Sequence, residues 1–305
     1  SSPPGSDLAL VKNTLRTLSS TQEIEEALWQ MQPSEFTSLA LAQENNTLYV
    51  SNAIFNRFDE ISRSCLDLYS GARIWAAALG GDTLQQGKNQ EPGYHALTPG
   101  LVLGFEGSID MQGYLGGCLA YTSSELDWKQ AHGSSAKIQA IYAGLYGKWS
   151  GASGYVEAAA IGSYDFYHTK REIEFSTIDR EANGFHQGRE VSAHAKGTWF
   201  LYNKTNSLLL SFIRLDYLFL YEGGFYETGA GSLNLHVESK NSDLLSSEGG
   251  IDFSQCFQAG WRTFSPFCEL SIIYEKRFFG QHEVASFGNC CPMNVTGLYP
   301  SRILA

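Results

Sequence analysis

Long runs of this sequence alternate between apolar and polar side chains, residue by residue. Between residues 268 and 274 every second position is apolar, and the neighbouring positions include Glu269 and Glu275. Residues 190–199 repeat the pattern, with small or apolar side chains between charged, histidine and hydroxyl side chains. Successive side chains of a strand point to opposite faces, so each run predicts a strand with one oily and one polar face. Several such strands in series favour a membrane β-barrel over a soluble β-sandwich, which also alternates.

The alternation predicts nine strands after Gly71. They cover residues 73–80, 98–109, 112–123, 136–149, 153–169, 189–202, 208–221, 245–257 and 264–278. Tight turns are predicted at 110–111 and 150–152, and long polar loops at 81–97, 125–135, 170–188 and 222–244. Short turns at one end and long loops at the other indicate an all-β, antiparallel up-and-down transmembrane barrel.

Before the strands, the apolar spacing is helical. A cap at residues 20–21, followed by several glutamates, predicts a helix that Pro33 ends. A second helix is predicted from residues 34–35 to about Arg63. Its many Asn and Gln side chains make it too polar for a buried core helix, so we expect it to lie in a wet channel.

The composition limits the classes of protein that fit. Charged residues make up 17% of the 305 residues, below the roughly 25% of soluble domains. No stretch approaches the ~18 consecutive apolar residues of a membrane helix, so alternate residues of strands have to supply any lipid-facing surface. A net charge of −11 without a Lys/Arg cluster argues against nucleic-acid binding.

Cysteine and histidine spacing gives no metal site. The six cysteines contain no CxxC, and the seven histidines contain no HxH or HExxH. We therefore predict no metal and no cofactor. Adjacent Cys290 and Cys291 cannot readily bond to each other, which leaves inert thiols or intermolecular or long-range disulfide cross-linking as alternatives.

Several segments occur in an order that matches a known family. They are ALWQMQPSE at 27–35, IWA at 74–76, GLVLGFE at 100–106, YLGG at 114–117, AYTS at 120–123, YAGLY at 142–146 and GFYETGA at 224–230. Together they resemble the C-terminal translocator β-barrel domain of autotransporters, the type V secretion proteins of Gram-negative bacteria. The last segment is similar to the family pattern GF-x-E-x-GA.

The resemblance implies a barrel of about twelve strands in the bacterial outer membrane, with an N-terminal helix in its lumen. The implied function is to anchor an N-terminal passenger and export it to the cell surface. Implied partners are the passenger in cis, outer-membrane lipid, the Bam assembly complex and periplasmic chaperones. Nine strands and a start at 301–305 fall short of twelve, so either the last two or three strands are missing or the barrel closes differently. We expect a C-terminal truncation.

We therefore divide the chain into a linker at 1–20, a helical segment at 21–70 and the barrel at 71–305. Polar side chains on the non-lipid faces are expected to line the lumen: Glu157, Asp165, Glu190, His194, Lys196, Arg214, Asp216, Glu248, Glu269, Glu275 and Arg277. Aromatic side chains are expected to form the girdles at the membrane interfaces: Tyr142, Tyr146, Trp199, Tyr217, Phe219 and Tyr274.

Two hypotheses concern chemistry. Some autotransporters release the passenger when an Asn inside the pore cyclises, and Asn45 and Asn46 are the candidates here. The alternative is that these residues only solvate a pore helix, and we predict no enzyme. The second hypothesis is an outer-membrane barrel enzyme or adhesin, with its site on the long loops.

Overall fold

The computed structural model describes residues 6–63, 71–87, 92–110, 112–129, 133–204, 206–259, 262–280, 282–288, 290–297 and 302–304. The chain begins with three helices, α1 (Asp7–Thr17), α2 (Thr21–Gln30) and α3 (Thr37–Arg63). A short 3-10 turn, Ser34–Phe36, connects α2 to α3. Within the described residues, no helix combines the length and apolar character needed to cross a membrane.

Side-chain caps define where the first two helices begin. Ser6 Oγ accepts a hydrogen bond from the backbone N–H of Ala9 at the start of α1. At α2, Ser20 and Glu23 form a reciprocal capping box, which satisfies two N–H groups that have no partner within the helix. The predicted helices correspond to α2 and α3. The helix α1 was not predicted, because residues 1–20 were interpreted as a linker.

Sixteen strands follow within the part of the chain that the structure describes. In chain order they are β1 (Ala72–Gln85), β2 (Tyr94–Ser108), β3 (Gly113–Trp128), β4 (Ser135–Gly151), β5 (Gly154–Phe175), β6 (Ile178–Lys204), β7 (Ser207–Glu222), β8 (Phe225–Tyr226), β9 (Leu235–Val237), β10 (Lys240–Gln255), β11 (Phe257–Ala259), β12 (Arg262–Phe264), β13 (Phe267–Lys276), β14 (His282–Phe287), β15 (Cys290–Thr296) and β16 (Arg302–Leu304). Each of the nine predicted strands overlaps one of β1–β7, β10 and β13.

One large antiparallel sheet contains ten of these strands, in the order β1-β2-β3-β4-β5-β6-β7-β10-β13-β16. Neighbours in the sheet are therefore neighbours in the chain, apart from the inserted small strands. The sheet curls around α3, which contacts strands from β1 to β10. The all-β, antiparallel fold with an enclosed N-terminal helix is as predicted.

The two ends of the sheet differ. The connections after β2, β4 and β6 are short and lie at one end, which we call the turn end. The connections after β1, β3, β5 and β7 lie at the opposite end, which we call the loop end. Near the loop end, β8, β9, β14 and β15 form a separate four-stranded sheet in the order β15-β14-β9-β8.

Much of the predicted loop 170–188 is strand, which corrects the sequence prediction. β5 and β6 remain paired up to Phe175 and Ile178, so that only Ser176 and Thr177 form the turn. Ser176 adopts a positive φ of 52° there. Polar side chains on the outer face concealed the alternation, although Ile173 and Phe175 continue the inward apolar series. Residues 125–128 and 135 likewise extend β3 and β4.

The two faces of the large sheet have opposite character. On β6, the outward Val191 and Trp199 are 66% and 47% exposed, whereas the inward Glu190 and Lys196 are buried. The neighbouring strands continue the outward apolar surface with Leu145 on β4 and Leu215 on β7, both half-exposed or more. An oily outer face and a polar interior are the reverse of a soluble β-sandwich.

Candidate functional site

The helix α3 lies inside the curled sheet and runs from the loop end to the turn end. Just before its first residue, the Phe36 ring packs edge-on against Trp128, the last residue of β3. Near its other end, Asp59 accepts a hydrogen bond from Lys196, close to the turn between β4 and β5. Because β1 then starts at the turn end, the chain passes through the sheet once before the strands begin.

Neutral polar side chains hold the loop-end half of α3. Gln43 donates hydrogen bonds to Tyr142 Oη at 3.2 Å and to Asp165 Oδ1 at 2.9 Å. Buried polar groups need such partners, because an unpaired one costs about 1–3 kcal/mol.

Asn46, one helical turn further on, is held on both sides of its carboxamide. Its oxygen accepts hydrogen bonds from Thr98 at 3.2 Å and Ser124 at 2.9 Å, and its nitrogen donates to Gln43 at 3.3 Å. Two strands, β2 and β3, are thereby joined to a single side chain of the helix.

A buried ion pair joins α3 to the chain just after β13. Arg277 Nη1 donates to Glu44 Oε1 at 2.7 Å, and Arg277 Nη2 contacts Glu44 Oε2, so that the pair is bidentate. Both side chains are almost fully buried. The two residues are 233 positions apart in the sequence, and the pair links the helix to the far side of the sheet.

Charged groups also hold the turn-end half of α3. Arg214 on β7 donates to Asn52 Oδ1 at 2.6 Å and to Ser51 Oγ at 2.8 Å. Further along, Lys196 pairs with Asp59 at 2.8 Å, and Arg57 pairs with Glu106 at 3.2 Å. Every strand from β1 to β7 therefore contributes a hydrogen bond or an apolar contact to α3, and the helix is an integral part of the interior.

A close approach of α3 to β1 requires a glycine. Tyr49 Oη lies 2.9 Å from Thr83 Oγ1, and the Tyr49 ring occupies the space where a Cβ at Gly81 would be, only 2.3 Å away. A side chain at Gly81 would displace the ring. The neighbouring Gly80 occupies an outward position of β1, where an added Cβ would meet no atom within 4 Å.

We therefore expect Gly81→Val to lower the free energy of unfolding by about 1–3 kcal/mol, as overpacking of an interior does. Gly80→Val is the matched control and should change it by less than about 0.5 kcal/mol. Urea unfolding of the detergent-solubilised protein, followed by tryptophan fluorescence, measures both variants. Equal effects of the two substitutions would contradict the placement of Tyr49 against β1.

Ser192, His194 and Asp216 form a hydrogen-bonded series on the inner wall. His194 Nδ1 lies 2.7 Å from Asp216 Oδ1, and His194 Nε2 lies 2.8 Å from Ser192 Oγ, the order found in hydrolase triads. All three side chains are buried, and the Phe55 ring packs edge-on over the imidazole. Asp216 also accepts a hydrogen bond from Arg214 Nε at 3.0 Å. The series orients Arg214 toward Ser51 and Asn52 of α3, and the Ser192 hydroxyl also lies 3.4 Å from the backbone oxygen of Ile161.

The structure places the expected lumen residues as follows. Eight are buried with side chains on the inner face: Glu157, Asp165, Glu190, His194, Lys196, Arg214, Asp216 and Arg277. On β10 and β13, Glu248 and Glu275 are half-buried and Glu269 is exposed. All three occupy inward register positions, as the pairing of Asp252 with Glu269 indicates.

Two of the six expected girdle residues were placed on the wrong face. Tyr142 and Tyr146 are buried, and they contact Gln43 and Phe58 of α3. Their phase is set by the outward Ile141 and Leu145, which alternate with them on β4. The other four expected rings point outward and are at least 38% exposed: Trp199, Tyr217, Phe219 and Tyr274.

Sequence reasoning missed the helix side of most contacts. Glu44, Arg57 and Asp59 were not singled out, although all three lie on the polar helix that was expected in the lumen. The buried contacts of these three residues were hard to recognise from the sequence, because charged side chains on a helix most often face water. Among the described residues, no group of His, Cys, Asp and Glu is arranged to hold a metal ion. The side chains of Cys290 and Cys291 lie outside the described part, so their cross-linking stays a prediction.

The loop end carries a second buried cluster, centred on Arg171. Arg171 pairs with Glu227, at 2.5 Å between Nη2 and Oε2, and also donates to the backbone oxygen of Gln30. Glu35, at the entrance to α3, is buried beside this pair, and its Oε2 has no hydrogen-bond partner. Burial raises the pKa of Glu35 to about 8, although Arg171 acts to lower it.

This shift predicts a pH dependence. The unfolded carboxyl loses its proton near pH 4.3, and the folded one keeps it up to about pH 8, so stability falls as the pH rises between these values. Glu35→Gln should flatten this slope, and the exposed Glu25→Gln should leave it unchanged. Urea unfolding at pH 5, 7 and 9 measures it. A slope that survives Glu35→Gln would show that another group is responsible.

The apolar outer face, the polar interior and the enclosed helix together define the class: a membrane β-barrel domain with a helix in its interior. Residues 74–289, more than half of the chain, match the family model of the autotransporter beta-domain. The chain therefore belongs to the autotransporter beta-domain family, and its location is the bacterial outer membrane.

Relatives and solved structures agree with this assignment. The chain is 25% identical over 263 residues to outer membrane protein A of Rickettsia conorii, covering 78% of this chain and 13% of that protein. An extracellular serine protease of Serratia marcescens is 28% identical over 169 residues, covering 53% of this chain and 16% of the relative. The chain thus spans only a small part of these curated relatives.

Two solved structures share the fold. The translocator domain of the autotransporter NalP from Neisseria meningitidis superposes with a TM-score of 0.58 at 17% identity, covering 82% of this chain and 89% of that one. The beta domain of the Bordetella autotransporter BrkA superposes with a TM-score of 0.52 at 16% identity, covering 72% and 88%.

Proposed function

We propose that this domain exports an N-terminal passenger to the cell surface and then anchors it there without enzymatic activity of its own. The observation that carries the proposal is the direction of α3. The helix enters at the loop end next to Phe36 and leaves at the turn end next to Asp59. Whatever precedes α1 is therefore on the loop-end side, and the strands start from the other side.

The direction assigns the two sides of the membrane. Barrels of outer membranes have short turns toward the periplasm and long loops toward the exterior. The N-terminal side of α3 is then extracellular, and α1 and α2 also lie at this end, against Phe175 and Ile178 of the hairpin. A chain in this arrangement has already passed its N-terminal part outward, which supports a state after export.

The buried contacts of α3 support the anchoring role. Breaking the Glu44–Arg277 or Asp59–Lys196 pair would leave an uncompensated charge inside the barrel, at a cost of about 3–5 kcal/mol each. Pulling the helix out would break both pairs and the polar contacts of Gln43 and Asn46 as well. A passenger attached to this helix is therefore held firmly.

The passenger connection is proposed to remain uncut. Asn45 and Asn46 lie inside a helix that is continuous from Thr37 to Arg63, and both ends of the Asn46 carboxamide are hydrogen-bonded. Cyclisation would require this amide to leave its partners and attack its own backbone carbonyl.

We expect purified protein, expressed with its upstream region, to keep its full mass after incubation for days at pH 7. Asn46→Ala should have the same mass stability as the unmodified chain. Intact-protein mass spectrometry makes the comparison. A fragment that begins directly after Asn46 and is absent from Asn46→Ala would contradict this prediction, and so would a fragment that begins directly after Asn45 and is absent from Asn45→Ala.

Assembly by the Bam complex and handling by periplasmic chaperones are proposed from family membership alone. Cross-linking through Cys290 and Cys291 is proposed because adjacent cysteines cannot readily bond to each other. Reducing and non-reducing electrophoresis of cells expressing Cys290→Ser and Cys291→Ser variants tests the cross-linking directly. A high-mass band that persists under non-reducing conditions when both cysteines are replaced together would contradict it.

The export itself is tested with an epitope tag placed directly before Ser1. On intact Gram-negative cells, antibody should reach the tag, and external protease should remove it. A tag at the turn between β4 and β5, after Ala152, is the matched control and should stain only after the outer membrane is opened. Staining of the N-terminal tag only in opened cells would contradict the proposal.

A further inference from the structure

The hairpin of β5 and β6 extends well beyond the oily part of the barrel. On the outer face of β5, apolar side chains end at Tyr164 and Phe166, and the following outward residues are polar up to Glu174. The ten residues from Phe166 to Phe175 extend the hairpin by nine steps, about 30 Å along the strand at 3.3 Å per residue. The end of the hairpin, residues 170–182, which we call the hairpin tip, therefore stands in water above the membrane.

The helices α1 and α2, which we call the linker helices, pack on this tip. Val11 of α1 and Ala27 and Met31 at α2 are buried in one apolar cluster with Ile173 and Ile178 of the hairpin. Since an exposed hairpin surface in water would normally be polar, an inward apolar series that continues to its end indicates a surface built to be covered.

Specific polar contacts fix the position of α1. The Asp7 carboxylate accepts hydrogen bonds from Arg180 Nη2 at 2.5 Å and Nη1 at 2.9 Å, and from the backbone N–H of Ser232 at 2.7 Å. Arg180 also donates to the backbone oxygen of Ala230 at 2.8 Å. These bonds lower the pKa of Asp7 far below its usual value, so it is charged at neutral pH.

The backbone beside Asp7 is adapted to the contact. Gly231 has a φ of +64°, a conformation that side chains rarely adopt, and a Cβ there would lie 2.7 Å from Asp7 Oδ2. At α2, Arg171 donates to the Gln30 carbonyl at 2.7 Å, and Gln30 Oε1 accepts from the Glu174 N–H at 2.7 Å. Both linker helices thus have their own recognition contacts on the tip.

We propose that the hairpin tip and the turn at residues 230–233 form a receptor surface for the exported linker, and that docking of residues 6–31 makes export one-way. We call this contact the linker latch. Its partner is an amphipathic helical segment of the same polypeptide with an acidic residue at its first turn. The inference rests on the proposed export function.

The physical basis is the coupling of folding to docking. The helices α1 and α2 have 11 and 10 residues, below the roughly 12–15 residues needed for a stable isolated helix in water. They form when their apolar faces are covered, and the surface that covers them exists only at the loop end. Docking therefore releases free energy only after residues 6–31 have emerged at the loop end. This free energy opposes backward sliding of the chain through the barrel.

A charge exchange tests the latch. Asp7→Arg and Arg180→Asp should each abolish the slow hydrogen exchange of residues 7–30, and the double exchange should restore much of it. Gly231→Ala should act in the same direction without any change of charge. Asp127→Arg, at an exposed position of β3 outside the hairpin tip, is the matched control and should behave like the unmodified protein.

The export readout separates the latch from a merely structural contact. In a pulse-chase experiment, external protease follows the arrival of the N-terminal tag at the surface. Asp7→Arg and Arg180→Asp should slow its arrival at least 3-fold, and the double exchange should recover it. Heat-shifted electrophoretic mobility confirms that each barrel is folded.

Two results would overturn the latch. One is unchanged protection of residues 7–30 in Asp7→Arg and in Gly231→Ala. The other is lost protection with an unchanged rate of export, which would leave a structural contact without a role in export. A tag that fails to reach the surface in the unmodified protein would instead overturn the export function itself.

Discussion

Replacing Arg277 with methionine is expected to lower the free energy of unfolding by about 3–5 kcal/mol, the largest loss for any single change at α3. The substitution leaves the Glu44 carboxylate buried without its cation, and both side chains are nearly inaccessible to water. Urea unfolding in detergent measures the effect, and hydrogen exchange of residues 37–63 reports whether the helix loosens with it.

Two control variants sharpen this prediction. The double variant Glu44→Gln with Arg277→Met removes both charges and should recover most of the loss, since neutral replacement of a buried pair is often harmless. Lys137→Met breaks the exposed pair with Glu125, whose atoms are 3.6 Å apart, and should cost less than about 1 kcal/mol. A small effect of Arg277→Met, equal to that of Lys137→Met, would contradict a buried and paired interaction between Arg277 and Glu44.

The second large effect is expected at the loop end. Arg171→Met removes the cation from Glu227 and the donor from the backbone oxygens of Gln30 and Leu233. All of these groups are buried, so we expect a local loss of about 3–5 kcal/mol. Because the cluster lies above the barrel, the loss should appear as fast hydrogen exchange in residues 21–36 while the barrel strands stay protected.

Arg171→Lys is the informative companion variant. Lysine keeps the charge but cannot reproduce the forked contact with Glu227. The hydrogen-exchange rates of residues 21–36 in Arg171→Lys should therefore lie between those of the wild type and those of Arg171→Met. Exchange rates in residues 21–36 that do not change in either variant would contradict the role of this cluster in holding the linker.

The strands were predictable because lipid and lumen impose a period of two. The strand prediction failed where the outer face of the sheet no longer contacts lipid. The outer face of residues 170–188 is in water and carries mostly polar side chains. The alternation of apolar and polar positions was therefore not recognised, and the segment was interpreted as a loop. The inward Ile173 and Phe175 still carried the pattern on the other face.

Tyr142 and Tyr146 show why residue type alone misleads. Aromatic rings are expected at membrane interfaces, but they also fill a narrow lumen around a helix. On β4, the strand phase was readable from Ile141 and Leu145, whose exposure leaves the alternate positions inside. Trp75 behaves likewise, since its ring lies over Gly104 and donates to Tyr146 Oη at 2.6 Å.

The interior contacts themselves could not be predicted. Glu44 and Arg277 are 233 positions apart, and only the curling of the sheet around α3 brings them together. The composition allowed many other pairings of the acids and bases on the inner face. The choice depends on the register of β6 against β7 and on the depth of α3, which a single sequence does not specify.

The central claim is that the outward residues of the sheet contact lipid while the inward ones face α3. Spin labels at Val191→Cys and Ala195→Cys, compared with Ser192→Cys and Thr198→Cys, test it directly in reconstituted bilayers, in a variant whose six native cysteines are replaced by serine. If residues 191 and 195 contact lipid, oxygen should relax their spin labels rapidly and a water-soluble nickel complex should relax them little. Spin labels at 192 and 198 should be protected from both reagents. Oxygen-rich signals at 192 and 198, with nickel reaching 191 and 195, would contradict it.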